Sequence, residues 1–388
     1  MMIQIDKTRL EKLQNRFSKR FGGKNEAIFS SPGRIEICGN HTDHNGGKVL
    51  VGAIDCDMVA VASKADDVVI LSEGYQEFSF KLSEIDLEKT KIGTAPAMAK
   101  GVLQGFKNNG YNIGGFHLVM DSKIFKGAGV SSSAAFELLI GEILNRFYND
   151  NVSRIEMAKI GRFAENVYFG KPSGLLDQSG ISLGGICEID FAGEPVVDRI
   201  ESSLGDYEIV IVNTGDHSDL TDEYSKIRED MKTASEFFGK TQLSEVSESE
   251  FYANIPSMKK VMSGRCILRA IHFFEENHRV EKACEALRKD DLKDFLVQIN
   301  NAGISSELYL QNTTYPTDKD QNLPLALKIA KDTIKDGAVR VHGGGFAGTI
   351  IAFINKAEVP FYVEKMACIF GKENTLVAKV RSEGATII

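Results

Sequence analysis

Asp177, Glu165 and Arg34 are the residues of this sequence whose types and settings best suit moving a charged group. Asp177 stands in Pro172-Ser-Gly-Leu-Leu-Asp-Gln178, a small and apolar stretch, and Glu165 precedes it on a segment that reads as helix. Arg34 follows Gly33 in Ser31-Pro-Gly-Arg-Ile-Glu-Ile-Cys-Gly-Asn-His-Thr-Asp-His-Asn-Gly-Gly-Lys-Val-Leu50. Phosphoryl transfer asks little covalent chemistry of a protein: it must hold Mg²⁺, neutralise developing charge and orient the attacking hydroxyl. Asp177 and Arg34 suit the last two tasks. The carboxylate would accept or orient a hydroxyl proton, and the guanidinium would keep that carboxylate ionised and stabilise charge in transit. The competing reading of a lone loop aspartate is a turn former or helix cap.

Three glycine-marked motifs surround these residues. The 31–50 motif gathers Arg34, Glu36, His41, Asp43, His44 and Asn45 in a stretch too polar for a core strand. Such a density of hydrogen-bonding groups suits a polyhydroxylated ligand, since each buried hydroxyl needs its own partner. A solvated loop with turn glycines is the plainer alternative, and His41 with His44 lacks the third neighbour a metal site needs. The second motif, Lys126-Gly-Ala-Gly-Val-Ser-Ser-Ser-Ala-Ala135, leads into the helical face Ala135, Leu138, Leu139, Ile143. Glycines and hydroxyls at a helix start make an anion cradle that fits the phosphates of ATP, with serine hydroxyls able to take phosphate or Mg²⁺. It is neither G-x-x-x-x-G-K-[S/T] nor G-x-G-x-x-G, whose third glycine is replaced by Ser132. The third, Val341-His-Gly-Gly-Gly-Phe-Ala-Gly-Thr349, permits a close backbone approach or a tight turn at a strand entry.

The elements that must position these motifs are mixed. Strands are expected at Ala27 to Ser30, Lys48 to Val51, Met58 to Ala62, Val68 to Leu71, Phe116 to Met120, Ile186 to Phe191, Tyr207 to Asn213, Thr349 to Ile354 and Leu376 to Val380. Helices are expected around Leu10 to Phe21, Ile155 to Tyr168, Asp222 to Phe238, Ser257 to Asn277, Val280 to Leu287 and Asp291 to Asn300. Without a strict βαβ rhythm this reads as α+β. A length of 388 residues favours two domains, 1–203 and 204–388, with Glu201 to Asp206 as the boundary and a cleft between them. The hydrophobic share of 43% and charged share of 26% are those of a folded soluble chain. A net charge of −8 offers no basic surface for nucleic acid. The six cysteines form no C-x-x-C pair, which implies a reducing compartment, and no apolar run reaches membrane-span length. A cytoplasmic protein with small-molecule partners is expected, with no nucleic acid and no membrane, as a monomer or weak oligomer.

Taken together, the motifs resemble the GHMP kinase superfamily (galactokinase, homoserine kinase, mevalonate kinase, phosphomevalonate kinase), and most closely its galactokinase family. Gly33-Arg34 to Leu50 is similar to the galactokinase signature around E-H-T-D-Y, Gly127 to Ala135 to the phosphate loop, and Gly343 to Gly348 to the C-terminal glycine motif. Asp177, Gln178, Tyr224 to Arg228 and Arg340 extend the likeness along nearly the whole chain. The resemblance implies a ribosomal protein S5 domain 2-like N-terminal domain, a ferredoxin-like C-terminal domain, and transfer of the γ-phosphoryl of Mg·ATP to the anomeric hydroxyl of galactose or a close galacto-configured sugar, giving the sugar 1-phosphate. By that resemblance Arg34 and Asp177 form the catalytic pair, and Gly127, Ala128, Gly129, Val130, Ser131, Ser132 and Ser133 cradle the triphosphate. Ser132 and Glu165 would hold Mg²⁺, and Asn40, His41, Asp43, Gly174 and Tyr224 would meet the sugar along with Asp177. Two positions depart from the signature, Asn40 for Glu and His44 for Tyr. Exchanging a carboxylate for an amide removes repulsion against an anionic ligand, so galacturonate is the second expected substrate. A catalytically idle galactose sensor is the competing class, against which the retained Arg34, Asp177, Glu165 and serine triplet argue.

Overall fold

The computed structural model describes residues 5–124, 129–171, 173–215 and 220–388. The chain opens with α1 (Lys7–Phe21), the expected amphipathic helix, begun by Asp6 accepting from the Thr8 N–H and ended by Gly22 in the left-handed region. There follow β1 (Ala27–Cys38), β2 (Lys48–Ala65), β3 (Val68–Ser72), β4 (Phe78–Phe80), α2 (Ala95–Asn108) and β5 (Gly115–Ser122). A helical run comprises α3 (Ser132–Tyr148), α4 (Arg154–Phe163) and α5 (Leu176–Leu183), then β6 (Ile186–Asp190), β7 (Val196–Ile200) and β8 (Tyr207–Asn213). The second half adds α6 (Thr221–Glu236), α7 (Glu248–Met258), α8 (Gly264–Arg288), α9 (Leu292–Ser305) and α10 (Asn322–Thr333). It closes with β9 (Gly337–His342), β10 (Thr349–Asn355), α11 (Val359–Phe370), β11 (Thr375–Ala378) and β12 (Thr386–Ile387).

The larger sheet runs β12-β1-β2-β5-β3-β4, with β6 and β7 continuing from the first half of β2. Its two faces follow the period of two along β2. Met58, Ala60 and Ala62 face the main core with Val102, Phe106, Leu138 and Ile143 of α2 and α3, while Val59 and Val61 face Leu13 and Phe17 of α1. The smaller sheet is antiparallel in the order β11-β8-β10-β9. Along β8, Ile209 and Ile211 join the main core, and Val210 and Val212 pack with Leu323, Leu327, Tyr362 and Met366 of α10 and α11. The succession β8, helices, β9, β10, α11, β11 is the ferredoxin-like one. Glu201 to Asp206 lies between the last strand of the larger sheet's middle run and β8, and β12 returns to pair with β1.

Two expectations need correcting. The polar residues 31–38 do not leave the sheet: β1 runs through them, with Ile35 and Ile37 buried on one side and Arg34 and Glu36 alternating to the other. The expected helices at 257–277 and 280–287 are drawn differently, because α8 starts at its Ser263 cap and continues unbroken to Arg288. Asn277, His278 and Arg279 interrupt the apolar period but contain no helix breaker, so the backbone carries on.

Candidate active site

Arg34 and Asp177 meet across 143 positions of sequence: Arg34 Nε and Nη2 donate to Asp177 Oδ1 at 2.9 and 2.7 Å. Arg34 reaches there because it lies on the face of β1 opposite Ile35 and Ile37, and Asp177 because it lies in the first turn of α5. The arginine side chain is 6% exposed and the aspartate 26%, so the pair is shielded yet the carboxylate stays reachable. Ser131 Oγ donates to the other carboxylate oxygen at 2.6 Å. Burial pushes the Asp177 pKa up, but Arg34, Lys171 and the Ser131 hydroxyl outweigh it and hold the group below its ordinary value. The result is an ionised carboxylate with fixed orientation.

The same arginine ties down the glycine loop. Its Nη1 donates to the Gly129 carbonyl at 2.5 Å, and its own N–H donates to the Val130 carbonyl at 3.2 Å. Gly129 has φ +68°, and Ser131 takes the left-handed region at φ 61° just before α3 begins. The Ser131 hydroxyl is spent on Asp177 and makes no cap bond to α3, so it leaves the first-turn N–H groups for an anion. Gly127 and Ala128 lie outside the described residues. Ser132 is the first residue of α3, and it is Ser133 that donates to Glu165 Oε1, at 3.0 Å. Glu165, expected with Ser132 to hold Mg²⁺, is thus in direct contact with the neighbouring Ser133, while Ser132 opens the same first turn of α3.

Glu165 is buried in a π-helical turn, Ala164–Phe169, that follows α4. Its Oε2 accepts from Ser173 Oγ at 2.9 Å and Gln178 Nε2 at 2.7 Å, and its Oε1 from Lys171 Nζ at 3.3 Å. Gln178 Nε2 also donates to Glu137 Oε2 at 3.0 Å, which brings a second carboxyl group alongside. Burial, and then the charge of Glu165, push the Glu137 pKa well up. Its Oε1 is buried without a hydrogen-bond partner. Sequence reasoning passed over Glu137 and Lys171. The signal for Glu137 was its spacing from Ser133, one helical turn along α3.

In the 39–47 segment the positions sort into two groups. Asp43 points into the site: a Cβ on Gly174 would overlap its carboxylate, so these two expected residues do meet. Replacing Gly174 by Ala is expected to push the Asp43 carboxylate aside and raise the KM for a sugar about tenfold, for the loss of roughly one charge-assisted hydrogen bond, with unfolding midpoint unchanged. Steady-state kinetics beside a urea titration check it. His41 has φ 59° and places Nε2 3.0 Å from the Gly344 carbonyl, its ring stacked on Tyr224. That carbonyl only accepts, so Nε2 carries the proton and Nδ1 faces His44 Nε2 at 3.4 Å. His44 thus steadies His41, and burial holds the His41 pKa down to about 4. Tyr224 backs the glycine turn, packs on Phe346, and has its pKa pushed up to about 12 by burial.

The Asn40 side chain is taken up by protein partners. It is fully buried, its Nδ2 donating to Glu36 Oε1 at 2.9 Å and the Gly343 carbonyl at 2.7 Å. Its Oδ1 accepts from Asn312 Nδ2 at 2.8 Å and Ser306 Oγ at 3.3 Å. With every donor and acceptor of the amide engaged by the protein, the argument that Asn40 admits a C6 carboxylate loses its basis. Asn40 belongs instead to a buried network with Glu36 and Arg340, whose Nη2 donates to Glu36 Oε1 at 2.6 Å. Through this network the glycine turn 343–345 is joined to the 31–50 motif.

The galactokinase galactose-binding signature matches residues 15–64, and the GHMP kinases N terminal domain matches residues 97–185. A galactokinase of Clostridium perfringens (strain 13 / Type A) is 32% identical over 376 residues, covering 92% of this chain and 93% of the relative. The chain belongs to the galactokinase family. A second galactokinase, of Streptococcus thermophilus, is 33% identical over 357 residues, covering 89% of this chain and 90% of its own. Among solved structures, Lactococcus lactis galactokinase complexed with galactose aligns with a TM-score of 0.85 at 30% identity, over 97% of this chain and 99% of that one. A mevalonate kinase aligns at TM-score 0.65 and 17% identity, over 92% and 99%, a likeness of fold alone. The α+β architecture is thus the GHMP kinase fold of the galactokinases.

Proposed function

We propose that this protein moves the γ-phosphoryl group of ATP to the anomeric hydroxyl of galactose, yielding galactose 1-phosphate and ADP. The observation that carries the reading is the triad of Arg34, Asp177 and Ser131 beside the uncapped start of α3. Asp177, kept ionised, takes the proton of the attacking hydroxyl at a carboxylate oxygen. Arg34 holds that oxygen and the Gly129 carbonyl together, so the acceptor and the phosphate loop keep one geometry. The first turn of α3 and the Gly129 to Ser133 backbone receive the phosphates, and His41, Asp43 and Gly174 with Tyr224 behind them line the sugar side.

The residues present also fit Mg²⁺. Ser132 and Ser133 in the first turn of α3 and the Glu165 carboxylate offer hydroxyls and a carboxylate close together, and a hard cation completed by nucleotide phosphates would favour the ionised form of the neighbouring Glu137, whose Oε1 lacks a hydrogen-bond partner. When bound, the ion supplies charge neutralisation on the transferring group. The division near Glu201 to Asp206 into 1–203 and 204–388 is the domain organisation we favour, with the site between the halves. We place the protein in the cytoplasm as a monomer or weak oligomer, a reading supported by its six free cysteines, five of them buried. Among the described residues no helix is long and apolar enough to cross a membrane.

Two measurements test this reading. ADP release from Mg·ATP with galactose, galacturonate, glucose and mevalonate in turn is expected with galactose; release with galacturonate alone, or with none, overturns it. The second is pH dependence. Burial, then Asp177 and Glu36, raise the Asp43 pKa to about 6. A sugar hydroxyl donates to the ionised form, so kcat/KM for galactose is expected to fall as pH drops through about 6 and to level off above it. Asp177, shifted the other way, stays ionised over that range. An Asp43→Asn profile that keeps the acid limb near the same pH contradicts the assignment.

A further inference from the structure

Asn40, immediately before His41, is held from behind by hydrogen bonds whose direction the geometry settles. The Asn40 carbonyl can only accept, so His272 Nε2, 2.8 Å away, carries the proton. Nδ1 of the neutral ring then accepts from Ser305 Oγ at 2.8 Å. Ser305, having given its proton to His272, accepts from Arg279 Nη2 at 2.6 Å. Arg279 Nε meanwhile donates to Glu276 Oε2 at 2.6 Å. The other Glu276 oxygen accepts the backbone N–H of Gly39 at 3.0 Å and of Asn40 at 3.4 Å. Burial holds the His272 pKa below its ordinary value against the pull of Glu276, in keeping with a neutral ring. Both backbone polar groups of Asn40 and the amide of Gly39 therefore lead, through α8 and the end of α9, to one guanidinium.

That guanidinium touches none of the residues assigned to phosphate or sugar. Arg279 lies in the wall of an open cavity of about 370 Å³, which it shares with Glu275, His278, Lys282 and Tyr309. We infer that Arg279 is a positioning residue for the sugar site, acting at a distance through Ser305, His272 and Glu276 to hold the backbone that aims His41 and Asp43. Because the relay grips the sugar segment and not the glycine loop, its loss weakens sugar binding selectively. The inference rests on the sugar assignment of the 39–47 segment made above.

The test uses the full-length protein with Arg279→Ala and, as the milder change, Ser305→Ala, which breaks the relay and leaves the Arg279–Glu276 bond in place. Galactose affinity is read by calorimetry as well as by kinetics. Ser305→Ala, which removes the two hydrogen bonds of that hydroxyl, is expected to weaken galactose about fivefold, and Arg279→Ala, which removes the three donated by the guanidinium to Ser305, Glu276 and Glu275, about tenfold or more, with kcat and the KM for ATP within about twofold. Guanidinium ion at low millimolar concentration, entering through the open cavity, is expected to restore part of the affinity lost in Arg279→Ala and none of that lost in Ser305→Ala. Unchanged galactose affinity in Ser305→Ala overturns the inference, as does a parallel rise in the KM for ATP or an equal loss of kcat. Galactose binding without turnover in the unmodified protein would sink the kinase reading while leaving this one standing.

Discussion

Asp177→Asn is expected to lower kcat by about 10²–10⁴-fold, the range a positioned general base contributes. The amide keeps the shape of the carboxylate and can still accept from Arg34, and the Ser131 hydroxyl can rotate to accept from the new N–H₂ group. Fold and ligand binding should therefore survive while the proton acceptor is gone. A loss confined to kcat, with the KM values for ATP and galactose within a few-fold, is the signature of an interaction made in the transition state. An Asp177→Asn protein that turns over normally would remove the carboxylate from the mechanism.

Arg340→Met is expected to destabilise the fold by about 3–5 kcal/mol, because it strips a buried carboxylate of its charged partner. Arg340 is fully buried on β9, and Glu36, on β1, is nearly so. Arg340 Nη1 also donates to the Glu36 and Ile37 carbonyls, at 3.2 and 2.9 Å, so the side chain stitches the smaller sheet to the strand that carries Arg34. Urea unfolding of Arg340→Met, Glu36→Gln and the double variant checks this. The double variant is expected to lose less than the sum of the two single changes, since no uncompensated charge is left behind. Additive losses would mean that the two groups do not depend on each other.

Much of this arrangement was legible beforehand, and the part that was not has physical reasons. The strand Tyr207–Asn213 follows directly from its β-branched run, and α1 from its apolar period. Strand β9 was missed because its alternation carries Arg340 and His342 where periodicity expects apolar residues; tertiary partners, not the strand itself, make them acceptable. Helix α2 was missed because Gly101 and Gly105 read as loop residues. They sit in the helix because Ala164 and Tyr168, and Ile160, press against them too closely for a Cβ. The meeting of Arg34 and Asp177 was posited from their complementary chemistry and from family resemblance, since no local period relates residues on β1 and α5. Asn40 marks another limit: its type suggests ligand chemistry, while neighbours distant in sequence already engage its amide. Composition alone does not say which polar groups of a motif face a ligand and which face each other.

The most direct test is a crystal structure of the protein with galactose and a non-hydrolysable ATP analogue. The anomeric hydroxyl should lie within about 2.6–3.2 Å of an Asp177 carboxylate oxygen, the reach a base requires, with the γ-phosphate on its other side at the start of α3. A sugar bound with that hydroxyl turned away from Asp177, or a triphosphate seated away from the Gly129 to Ser133 backbone, would contradict the mechanism.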